Sequence, residues 1–86
     1  MTTEITETTR PLTFGEKAVG LTFNHGTGDI FHQIQEAKAT CAKAIDQMNA
    51  LRKTQGNDEY AALCTIAIRS LQLTQMSMVK AITWKD

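Results

Sequence analysis

Between Tyr60 and Val79 the chain carries one charged residue, Arg69, in the stretch that reads most clearly as helix. A helix with one face in water normally lines that face with charges. Here Ile66, Ile68, Leu71, Leu73, Met76, Met78 and Val79 are spread too widely to share one stripe. A chain of 86 residues has little other material with which to cover such a helix on every side. Further copies of the same chain are the expected cover, so the first expectation is an obligate oligomer with its site built between subunits.

Length points the same way. A domain of this size buries only roughly 60% of its unfolded surface, which leaves a lone subunit marginal. Oligomerisation, disulfides or a metal are the usual remedies. Cys41 and Cys64 allow at most one bridge and read as reduced core residues of a cytosolic protein. The first thirteen residues are Thr-rich with Glu4 and Glu7, unlike a secretory signal. No apolar run approaches the ~20 residues of a membrane span, so no membrane association is expected. Nine basic residues balance nine acidic ones. That balance argues against binding a DNA or RNA polymer, which needs a basic surface matched to many phosphates. A small anionic ligand needs only a few placed cations.

The expected fold is all-α: an antiparallel two-helix hairpin preceded by an irregular, glycine-rich segment, assembling into a helical oligomer. Residues 1–13 form a flexible arm with six Thr and Pro11. Residues 14–86 form one hairpin domain. Within it, residues 14–28 hold four of the five glycines, with Phe14, Val19, Leu21 and Phe23 between them, and read as a lid. Helix one is expected over 29–55, from apolar residues at spacings of three and four between Ile30 and Leu51. Thr27 or Asp29 is its N-cap, Arg52 and Lys53 suit its negative end, and Gly56 is its C-cap. Asn57 or Asp58 caps helix two, expected over 58–83. Phe31 and Tyr60 are expected in the core.

The chemistry-bearing motifs are few. Gly15 to Thr22 superficially suggests a phosphate-binding P-loop, but Leu21 stands where the lysine is required and no strand precedes it. His25, His32 and Cys41 match no zinc spacing, and they read as a loop histidine, a helix-surface histidine and a core thiol. No nucleophile arrangement is present, and no carboxylate sits in an evident apolar pocket. An enzyme is not expected, nor a metal or cofactor. Phe14 and Phe23 lie near Lys17 and Asn24; rings, a cation and an amide are the set that stacks a base, holds a phosphate and reads a base edge. The alternative is that both rings anchor the segment to the hairpin. Arg69, Gln72 and Gln75, three residues apart, either bond across a subunit interface or line a polar axial pocket.

The run Gly15-Glu16-Lys17-Ala18-Val19-Gly20-Leu21-Thr22-Phe23-Asn24 precedes a hairpin that closes with Ala67-Ile68, Leu71-Gln72, Gln75-Met76 and Val79-Lys80-Ala81-Ile82-Thr83-Trp84. Over residues 14 to 84 this combination resembles the phage-encoded anti-CBASS sponge proteins, which share a hairpin domain with some anti-Thoeris sponges. The resemblance implies a homohexamer in the cytoplasm of the infected bacterium. Such an assembly sequesters cyclic di- and trinucleotide messengers, cyclic GMP-AMP among them, without degrading them. It also implies a dinucleotide site with an aromatic residue before helix one and a lysine within that helix. The matching candidates are Phe14 or Phe23 with Asn24, and Lys38, with Lys17 as the substitute cation. For a separate trinucleotide pocket it implies Arg69 and Lys80, with Gln72 as hydrogen-bond partner. Symmetry suits both ligands: a near-two-fold dinucleotide fits a two-fold interface, a near-three-fold trinucleotide fits a three-fold axis, and the two axes together give six subunits. The rival expectations are a sponge for cyclic ADP-ribose-type signals and an oligomeric protein that docks on a host protein.

Overall fold

The computed structural model describes residues 10–54 and 56–85. Calls on the arm over residues 1–9 therefore lie outside the described residues. Three helices follow in order: α1 (Phe14–Ala18), α2 (Gly28–Leu51) and α3 (Asp58–Ile82). The two long helices pack antiparallel across a short turn and α1 lies against α2. The fold is all-α, as expected. Its shortest extent is 13 Å, about one helix diameter with side chains, so the long helices lie side by side in one layer.

Three expectations are corrected. Residues 14–28 are not wholly irregular: α1 is a true helix with a complete capping box. The Thr13 hydroxyl accepts from the Glu16 N–H at 3.1 Å, and the Glu16 carboxylate accepts from the Thr13 N–H at 2.9 Å. α2 begins at Gly28 after Thr27, whose side chain makes no capping bond, and ends at Leu51, so Arg52, Lys53 and Gly56 lie beyond it. As expected, the other N-cap falls on Asn57, which accepts from the Tyr60 N–H, and α3 runs over Asp58–Ile82 with Thr83 as its C-cap. Phe31 is not core; the residue is 36% exposed and its ring meets His32 edge-on.

The core is narrow. Val19, Cys41, Ala42, Ile45 and Ile68 form the buried cluster, with Ala18, Leu21, Met48, Leu71 and Met78 packed around it. Both cysteines are free and buried, and the Cys41 thiol lies 3.7 Å from the Met78 sulfur. Burial raises the Cys41 pKa, which keeps it a neutral thiol. Gly15 lets α1 lie directly on α2. A Cβ there would lie 2.1 Å from the Ala42 carbonyl oxygen, and the Gly15 N–H reaches Asp46 Oδ1 at 2.7 Å.

The apolar residues of α3 divide into two stripes back to back, which explains their wide spread. Cys64, Ile68 and Gln75 are buried against the rest of the chain. At about 100° per residue, Leu63, Ile66, Leu73 and Met76 lie on the far side. All four are exposed, Leu73 at 63%. Among the described residues, no helix is long and apolar enough to cross a membrane.

Candidate functional site

Lys38 organises the lid. It lies one turn after Ile34, on the inner face of α2, and is only 6% exposed. A buried ammonium needs acceptors for its protons. Two come from the lid backbone: the Gly20 carbonyl at 2.9 Å and the Phe23 carbonyl. Gly20 takes a positive φ of 63°, the left-handed conformation that turns the chain after α1. The Phe23 N–H closes this turn on the Gly20 carbonyl at 2.9 Å. Desolvation lowers the Lys38 pKa, because burial disfavours the charged form. A phosphate beside it would favour the cation again.

Asn24 fixes the next stretch of the lid. Its amide N–H groups donate to the Phe31 carbonyl and to Gln35 Oε1, each at 2.9 Å, and its oxygen accepts from the Gly26 N–H at 3.0 Å. The Asn24 side chain is thus occupied in holding the segment on the start of α2.

Two cavities flank this anchored segment. One, of about 530 Å³, is lined by Arg10, Leu12, Leu21 and Phe31 among others. Among the described residues that line it the cation is Arg10, which grips both Glu16 oxygens at 2.8 and 3.0 Å. The other, of about 480 Å³, lies between the lid and the end of α3. Phe23 and Trp84 stand at its edge, 71% and 64% exposed. Lys38 and Lys85 contribute cations, and Asn24, His25 and Thr83 contribute polar groups. Two exposed rings and two lysines on one concave surface form the richer chemical set: π-faces for bases and ammonium groups for phosphates. Lys80 holds its ammonium 5.8 Å from the centre of the Trp84 ring, which adds positive charge beside this cavity.

Of the expected dinucleotide set, Phe23, Asn24 and Lys38 line this cavity together. Phe14 and Lys17 belong to α1 and do not line it. Phe14 packs its ring under the Arg52 guanidinium at 5.3 Å, and Lys17 is exposed. Of the second set, Arg69 and Gln72 meet at 3.4 Å, and Gln72 also donates to the Ala18 carbonyl at 3.2 Å. Lys80 lies three turns farther along α3. Trp84 and Lys85 were not singled out by sequence. The available signal was a Trp-Lys pair just past a helix end, where side chains are free to turn back over the hairpin. Among the described residues, no cluster of His, Cys, Asp and Glu could hold a metal. In comparisons with known proteins, no family model, curated protein or solved structure matches this chain.

Proposed function

We propose that the protein is a non-enzymatic sponge that binds cyclic oligonucleotide messengers and holds them intact, as the resemblance to anti-CBASS proteins implies. The observation that supports this most is the cavity between lid and hairpin, with Phe23 and Trp84 at its edge and Lys38 and Lys85 in its lining. A cyclic dinucleotide offers two bases and two phosphates, and this surface offers two rings and two cations. Phe23 and Trp84 each present a stacking face. The third N–H of Lys38 is left over once the Gly20 and Phe23 carbonyls have taken two. Because the Phe23 and Gly20 carbonyls share the Lys38 ammonium, a phosphate arriving at this cation couples directly to the lid.

A sponge must compete with the effector it starves, which sets nanomolar binding, about −12 kcal/mol, as the required scale. Calorimetric titration with cyclic dinucleotides, followed by chromatography of the released ligand, tests the reading. Nanomolar uptake with chemically unchanged ligand is the expected result. Phe23→Ala and Trp84→Ala are each expected to weaken binding by about 1–3 kcal/mol, the scale of one base–aromatic stack. Absent uptake, or recovery of a cleaved ligand, overturns it.

A further inference from the structure

The two rings at the edge of the lid cavity each have a chain neighbour that also lines it: Asn24 follows Phe23, and Thr83 precedes Trp84. Each stacking face thus comes with a neutral polar side chain one residue away. The hydrogen-bonding capacity left on these two side chains is of one kind. Both N–H groups of the Asn24 amide are spent, on the Phe31 carbonyl and on Gln35 Oε1. Its oxygen accepts once, from the Gly26 N–H, and keeps a second lone pair. The amide cannot be turned over, because the Phe31 carbonyl can only accept and the Gly26 N–H can only donate. Thr83 has one hydroxyl proton and donates it to the Val79 carbonyl at 2.9 Å, one turn back in α3. The Thr83 oxygen keeps its lone pairs. Both residues are left with acceptors and no donor.

We propose that Asn24 and Thr83 determine base specificity in this cavity: as acceptors only, they select bases that bear an exocyclic amino group, namely adenine, guanine or cytosine, over uracil and hypoxanthine. The selection applies to the cyclic oligonucleotides of the sponge reading, on which it rests. An amino hydrogen gives each oxygen a partner. A carbonyl oxygen in the same place sets acceptor against acceptor and leaves both unsatisfied. The other polar groups do not choose. Lys38 and Lys85 suit the phosphates, which all these ligands share. Thr27, whose hydroxyl makes no capping bond, and the His25 ring can each turn a donor or an acceptor to the ligand.

The test compares two pairs of ligands that differ only in the amino group. Cyclic di-GMP is set against cyclic di-IMP, which lacks the 2-amino groups, and cyclic di-AMP against its purine-riboside analogue, which lacks the 6-amino groups. In calorimetry on the full chain, the amino-bearing member should bind about fivefold tighter or more in at least one pair, the scale of one net hydrogen bond. Thr83→Val removes one acceptor and should lower that ratio by a similar factor. Thr83→Ser keeps the hydroxyl and its bond to Val79, and should retain the ratio. A ratio within a pair cancels any uniform loss of affinity from a loosened helix end, so a merely structural role for Thr83 would leave it unmoved. Equal affinities within both pairs, or a ratio that Thr83→Val leaves unchanged, overturn the selection, while tight uptake keeps the sponge standing. Uptake of none of the four ligands overturns both, and selection with a cleaved ligand overturns the sponge alone.

Discussion

The inner face of α2 and the outer face of α3 are both apolar seams on long helices, but one is finished within the chain and the other is not. Over α2, α1 and the lid are held by directed contacts: Gly15 to Asp46, Lys38 to two carbonyls, and Asn24 to Phe31 and Gln35. Among the described residues no buried side-chain polar atom is left without a partner there or elsewhere. Along α3's outer face the described residues supply no cover, and Leu63, Ile66, Leu73 and Met76 face outward. Stability should therefore be concentrated in the first seam, and association in the second.

Substitutions can break that contrast. The largest effects belong to the finished seam. Ile45 is fully buried, and Ile45→Ala should cost about 3–4 kcal/mol by loss of transfer energy and creation of a cavity. Leu73→Ala is the matched control. At concentrations too low for association it should change the unfolding midpoint in urea by an amount near zero, and only the concentration dependence should move. Equal destabilisation of both variants in dilute solution would erase the distinction between the two faces. Gly15→Ala comes next, at about 3 kcal/mol, because its Cβ meets the Ala42 backbone, which cannot yield as a side chain would. Hydrogen exchange should show α1 and the lid released while the pairing of α2 with α3 stays protected.

A third variant sharpens the account of the lid. Lys38→Met keeps most of the buried stem and removes the ammonium, leaving the Phe23 carbonyl without this donor and the Gly20 carbonyl with only the Phe23 N–H. A loss of about 2 kcal/mol is expected, together with faster amide exchange across residues 20–24, because bonds to charged groups carry roughly 1.5–3 kcal/mol. A fully protected lid in this variant would mean that packing alone holds it.

The smallest effect is a dependence on pH at α1. The Glu16 pKa lies below its ordinary 4.5, chiefly because the Arg10 side chain bonds its carboxylate, with the Thr13 N–H adding to this. A lowered carboxylate pKa contributes stability that is present above 4.5 and is lost as pH falls through the folded value. The Arg10 side of the pair is about half exposed, so solvent screens it and the effect on global unfolding is slight. The Thr13 amide resonance should report it directly, shifting as the capping box opens on acidification. Glu16→Gln should flatten that titration.

Much of the frame was legible in the sequence. The three- and four-residue apolar spacing of α2, Asn57 before α3 and the short turn between them all specify an antiparallel hairpin through local rules of periodicity and capping. The Thr13-Phe14-Gly15-Glu16 run was equally legible as a capping box, yet it lies in a glycine-rich stretch whose composition suggests irregular chain. The candidate site was legible only in part. Phe23 and Asn24 were marked by residue type and Lys38 by the resemblance alone, and they line one cavity. Phe14 and Lys17 were marked by the same reasoning, and they sit on α1, away from it. Adjacency in sequence does not specify on which side of a turn a residue emerges.

What the sequence determined alone is the helical hairpin and the excess of apolar surface on α3, because helical periodicity and charge distribution are properties of neighbours along the chain. What only the tertiary structure decided is that Lys38 is buried beneath the lid, that Trp84 and Lys85 close a cavity with Phe23, and that the apolar residues of α3 divide into an inner and an outer stripe. Each of these depends on groups far apart in sequence competing for the same few acceptors and the same small core, and local pattern carries no record of who wins that competition.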